Sequence, residues 1–86
     1  MENTLNMEQR HVDNAHAESD VMAGRIARRG WAGMDLVTSV RSLYAHDRHR
    51  EGLPTLTECT LAQQVEYYTE LRTRLQAAAD ESGMAY

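Results

Sequence analysis

Hydrophobic and polar positions along the chain follow a helical rhythm in three successive segments. From about Asn6 to Arg29, Val12, Ala15, Ser19, Met22 and Ile26 recur at alternating steps of three and four residues, so they share one face of a helix. From about Gly33 to Arg50, Leu36 is followed by Val37, Val40, Leu43 and Tyr44, a wide apolar stripe that predicts the most buried of the three helices. From about Glu58 to Ala79, Leu61, Val65, Tyr68, Leu71, Leu75 and Ala78 line one face. No segment alternates apolar and polar residues with β-branched enrichment, so no sheet is expected.

Turn and cap residues divide these segments. Asn6 is placed to cap the first helix and Gly30 to end it, while Gly52 with Pro54 just beyond stops the second. The third has two candidate starts. Thr55 with Glu58 makes a capping box, whereas Thr57 as cap would set Leu56 against Leu61 as a hydrophobic staple. The result is an all-α, three-helix bundle, with helices over about 6–29, 33–50 and 58–79, forming a single domain over 1–86 whose termini, 1–5 and 82–86, fray.

Size qualifies that picture. A chain of 86 residues buries only a little over ~60% of its unfolded surface, so it is marginal alone and a homodimer is one expectation. The first helix is the natural seam, because its apolar face is narrow and small in the middle and suits close helix approach, within the bundle or across a dimer. Hydrophobic residues at 42% and charged ones at 26% are ordinary for a folded chain. Cys59 is alone, which rules out an intramolecular disulfide and favours a reducing cytoplasm. The start, Met1-Glu2-Asn3-Thr4-Leu5, lacks a signal peptide's basic and apolar regions, and no apolar run approaches the ~20 residues needed to cross a bilayer.

Charge is segregated. Residues 1–24 hold five acids and one arginine, residues 25–50 six arginines and two acids, and residues 51–86 six acids and two arginines. Such blocks can neutralise one another in a folded bundle. Arg25, Arg28 and Arg29, however, lie three and four apart, where like charges repel by roughly 0.2–0.5 kcal/mol per pair, so an anionic partner is one way to relieve them. The other way is the helix C-terminus itself, whose dipole favours cations. All nine basic residues are arginine and none is lysine, which with the abundant alanine fits a GC-rich coding source.

The remaining chemistry is sparse. His46 and His49 are three apart and adjoin Asp47, but His11 and His16 are five apart and splay around a helix, so a converging metal site is not expected, nor is a cofactor. No serine or cysteine has a base at a motif spacing and the absence of lysine removes Schiff-base chemistry, which argues against an enzyme. Gly33-Met34-Asp35-Leu36-Val37, followed by an apolar helix, Leu53-Pro54 and Thr60-Leu61-Ala62, resembles the second half of an acyl or peptidyl carrier domain. That family carries serine directly after the aspartate as the attachment point for phosphopantetheine. Leu36 stands there instead, so the resemblance implies no prosthetic arm.

What is left is a contact surface. Aromatics and arginines are enriched at protein interfaces, which singles out Arg25, Arg28, Arg29, Trp31 and Tyr67; the competing reading has Trp31 buried, closing an end of the bundle. Consecutive Tyr67 and Tyr68 point about 100° apart on a helix, so with Tyr68 in the core Tyr67 falls at the surface or its edge. The expected function is a small non-enzymatic regulator or inhibitor that occludes a partner protein's surface, of the kind phages and mobile elements encode. The alternative is a nucleic-acid-binding regulator using the basic 25–50 segment, against which the net charge of −4 works at long range.

Overall fold

The computed structural model describes residues 4–83. They form α1 (Thr4–Ala27), α2 (Trp31–Arg50), a single 3₁₀ turn (Leu56–Glu58) and α3 (Leu61–Glu81), with no strand among the described residues. The all-α, three-helix expectation therefore holds, each helix packing on the other two. Residues 1–3 and 84–86 of the termini expected to fray lie outside the described residues.

α1 and α3 run side by side in the same direction. His16 stacks on Tyr68, and further along Arg25 shares a groove with Arg72. α2 returns past them: Gly33 touches Ile26 at the end of α1, Arg41 pairs with Asp20 one and a half turns back, and Tyr44 meets Tyr67 of α3. Their core is small, built from Met22, Ala23 and Ile26 of α1, Val37 and Tyr44 of α2, and Leu71, Leu75 and Ala79 of α3.

The apolar face read for α1 is the buried one, since Val12, Ala15, Ser19, Met22 and Ile26 are all inside. That face packs within the chain, the first of the two uses read for it. α1 also displaces α2 as the most buried helix, because α2 buries only Gly33, Val37 and Tyr44. The stripe on α2 is wide, but only its centre is buried against the neighbouring helices. Leu43, at the edge of that stripe, is 59% exposed.

Every helix boundary except the end of α2 moves by two or three residues. α1 already includes Thr4, so Asn6 is an interior residue and not a cap; each added residue closes another backbone hydrogen bond, which favours extension once a helix exists. At the other end α1 stops at Ala27, and Arg28 and Arg29 form the turn, with Arg29 N donating to the Ile26 carbonyl at 3.0 Å and Gly30 N to that of Ala27 at 3.2 Å. Gly30 has φ 92°, a left-handed conformation that suits glycine, and α2 begins immediately after it at Trp31 and not at Gly33. The start of α3 also shifts, to a cap at Thr60: its Oγ1 accepts from Gln63 N at 3.2 Å while Thr60 N donates to Gln63 Oε1 at 2.8 Å. The Thr55/Glu58 box does form, but it closes the preceding 3₁₀ turn, and Thr57 caps nothing.

Gly33 is the pivot of the α1–α2 connection. A Cβ there would lie 2.0 Å from the Ile26 carbonyl oxygen, so only glycine lets the two backbones approach this closely. Because Gly33 must face α1, Trp31, two residues earlier and about 200° around the helix, must face away. Trp31 is accordingly 81% exposed, which overturns the reading in which it closes the bundle.

Candidate interaction surface at the α1–α2 corner

The corner joining α1 to α2 collects four of the five residues selected from sequence. Arg25 is in the last turn of α1, Arg28 and Arg29 are in the connecting turn, and Trp31 opens α2; all four are exposed. Met34, one turn after Trp31, is 48% exposed and extends the apolar part of the patch. Arg25 lines a shallow groove of about 300 Å³ with Val21, Met22 and Arg72, while Arg28 and Arg29 make no ion pair among the described residues. The corner thus presents an exposed indole and thioether at the start of α2 and three exposed arginines in the last turn of α1 and the connection. Its backbone is held by the turn hydrogen bonds and by the Gly33–Ile26 contact.

Tyr67 does not belong to it. Its ring lies 4.9 Å from that of Tyr44, thirteen residues along α2 from Trp31, which is about 20 Å away at the helical rise. Tyr67 is half-buried there, packed against the core.

That second region is a polar and aromatic cluster where α2 meets α3. Arg74 donates from Nη1 to Asp47 Oδ2 at 3.0 Å and from Nε to Glu70 Oε1 at 3.1 Å, with its guanidinium 4.7 Å from the Tyr44 ring centre. The hydrogen bond to Asp47 holds the Arg74 pKa above its ordinary value. Arg48 donates from Nη2 to the Pro54 carbonyl at 3.0 Å and lies 5.1 Å from the Tyr67 ring centre. The rings continue from Tyr67 to Tyr68, 5.4 Å apart and edge to face, and from Tyr68 to His16 of α1, stacked at 4.4 Å. Burial pushes the Tyr44 and Tyr68 hydroxyls up, so both stay neutral.

Beside this cluster opens a cleft of about 510 Å³ between α2 and α3, lined by Tyr44, Glu51, Leu53, Val65, Glu66 and Arg74 among others. Its guanidinium groups already have carboxylate or carbonyl partners, so they serve as scaffold and offer little to an anionic ligand. Sequence reading missed the cluster because Arg74 and Asp47 are 27 positions apart and meet only through the tertiary crossing.

The structure disperses the histidines and the basic segment. His16 Nε2 lies 3.3 Å from Asp20 Oδ2, and no group of three or more His, Cys, Asp or Glu side chains among the described residues is arranged to hold a metal ion. Arg41 pairs with Asp20 at 3.6 Å, which neutralises part of the basic middle internally, and Arg48 is engaged by the Pro54 carbonyl. Arg50, at the far end of α2, lies about 28 Å along the helix from Trp31.

These features define an all-helical, three-helix protein with one exposed aromatic and cationic corner. No family model, curated protein or solved structure matches the chain. No helix among the described residues is long and apolar enough to cross a membrane.

Proposed function

We propose that the protein is a non-enzymatic regulator or inhibitor that binds another protein through the α1–α2 corner and occludes part of its surface, acting in the cytoplasm in the manner of small phage- or mobile-element-encoded proteins. The observation that carries this reading is Trp31, 81% exposed on a backbone locked by Gly33. An aromatic side chain of ~150–250 Å² is worth about 4–6 kcal/mol gross when buried, at about 25 cal/mol per Å². The flanking Arg28 and Arg29 supply orientation and long-range attraction to a partner of opposite charge. Trp and Arg are the residue types that dominate binding hot spots, and an anchor already held in place loses little entropy on docking.

Trp31 is the only tryptophan, so its emission reports the corner alone. The test is capture of the tagged chain's partner from its native host, followed by titration of the purified pair. Docking should shift Trp31 emission to the blue, and Trp31→Ala should weaken affinity by at least about tenfold, the threshold at which a residue counts as an anchor. Charge reversal at Arg25, Arg28 and Arg29 together should weaken it further. If partner binding survived both changes, the corner would not be the site. A captured nucleic acid, with affinity falling by a log–log slope near −0.9 per phosphate contacted, would support the basic-segment alternative instead.

A further inference from the structure

The molecule has more surface than its size calls for. Its accessible area is 5964 Å², against about 5,200 Å² for a folded monomer of 9.8 kDa. Its radius of gyration is 14.1 Å, against about 12 Å for a compact domain of this length.

The flank of α2 beside its buried stripe of Gly33, Val37 and Tyr44 is where an interface with a second copy fits, and Leu36 on it also packs against the core. Ala32, Leu36, Ser39, Leu43, His46 and Arg50 follow one another at alternating steps of four and three, the spacing of a helix–helix seam. Five of the six are exposed, Leu36 is half-buried, and the most apolar exposed position, Leu43, lies near the middle at 59% exposure. Small residues at Ala32 and Ser39 leave room for a second backbone. Charge is arranged to suit a two-fold: Asp35 lies eight residues before Leu43 and Arg50 seven after it. Turning a second α2 antiparallel about Leu43 sets Asp35 of each copy opposite Arg50 of the other, at both ends of the contact.

We infer that the chain self-associates as an antiparallel two-fold dimer through this face of α2, centred on Leu43, and not through α1. The seam is isologous, so each residue's partner appears twice. Its centre at Leu43 lies about 18 Å along α2 from Trp31, while its first position, Ala32, adjoins the corner.

Sedimentation velocity over a concentration series tests this with the purified chain. The wild type should move from the single-chain mass of 9.8 kDa to twice that value. Leu43→Glu, which places a carboxylate against its own symmetry mate, should leave a monomer with unchanged helical circular dichroism. Val21→Glu, at a 54% exposed position on α1, should leave self-association unaltered. Asp35→Arg and Arg50→Asp should each weaken the dimer by roughly threefold or more, and the two together should restore it. A wild type that stays monomeric at the highest concentrations, a Leu43→Glu variant that still pairs, a Val21→Glu variant that does not, or a charge swap without rescue would each overturn the assignment.

Discussion

Two glycines in helical segments, Gly24 and Gly33, should respond to alanine with opposite signs. Helix propensity alone favours alanine over an interior glycine by roughly 0.5–1 kcal/mol, because glycine loses more backbone freedom on folding. Gly24 is a clean case: a Cβ built there meets nothing within 4 Å. Gly24→Ala should therefore stabilise by about 0.5–1 kcal/mol, which raises Tm by roughly 2–8 °C in a domain of this size.

At Gly33 the same methyl group would stand 2.0 Å from the Ile26 carbonyl oxygen, 2.9 Å from its carbon and 3.1 Å from Arg29 Cβ. Two of these three atoms are backbone, and the oxygen is held by Arg29 N at 3.0 Å. Relief to ordinary contact requires α2 to move by more than about 1 Å, which undoes packing around Ile26 and Val37; overpacking of this kind costs typically ~1–3 kcal/mol. Gly33→Ala should be destabilising by about that amount, lowering Tm by at least several degrees where propensity alone would raise it. Thermal melts followed by circular dichroism, with urea melts to check that the m-value is unchanged, measure both variants. A Gly33→Ala protein as stable as the wild type or more so would refute the close approach and, with it, the explanation of why Trp31 points outward.

Two further changes probe single side chains. Ser19 Oγ is buried with no hydrogen-bond partner among the described residues, so Ser19→Ala should stabilise by about 1 kcal/mol or more, from relief of an unpaired hydroxyl and better helix propensity; a loss of stability in urea melts would mean the hydroxyl is satisfied. Thr55 donates twice to Glu58 Oε1, at 3.0 Å from its N–H and 2.7 Å from its hydroxyl, and holds the Glu58 pKa below its ordinary value. The folded pKa being depressed, this contribution is complete above the unfolded pKa and is lost as pH falls through the folded one, so Glu58→Gln should flatten the acid limb of stability against pH and a parallel limb would count against it.

The helical face of α1 was legible in the sequence because packing, turn after turn, used the periodic positions that define it; on α3 Leu71 and Leu75 were read correctly, but Tyr67 and Ala79 reach the core where Tyr68 and Ala78 were expected. Legibility failed where one residue type serves two ends. Gly30 and Gly33 both look like punctuation; Gly30 is a left-handed turn residue, whereas Gly33 is a contact residue inside α2, and only the tertiary approach to Ile26 distinguishes them. Thr55 with Glu58 and Thr60 with Gln63 are two capping boxes five residues apart, and the second, the true start of α3, was there to be read. Leu43 fits the α2 stripe by periodicity but lies at its margin, and only the stripe's centre is buried.

The same distinction separates the candidate residues. Arg25, Arg28, Arg29 and Trp31 come together because they are close in sequence, so a local reading finds them, whereas Tyr67 has its place decided by how α3 meets α2. The corner also divides stability from binding in a way that can be measured. A tryptophan that is 81% exposed contributes little to the fold, and a surface substitution there should change stability by no more than about 0.5 kcal/mol. Gly33 makes no contact with a partner in this scheme, yet it turns α2 so that Trp31 faces outward. Trp31→Ala should therefore lose the partner and keep Tm, while Gly33→Ala should lose Tm and, by re-aiming the helix, part of the affinity as well. If instead the two properties fell together in Trp31→Ala, the indole would belong to the core of the folded state and not to a docking surface.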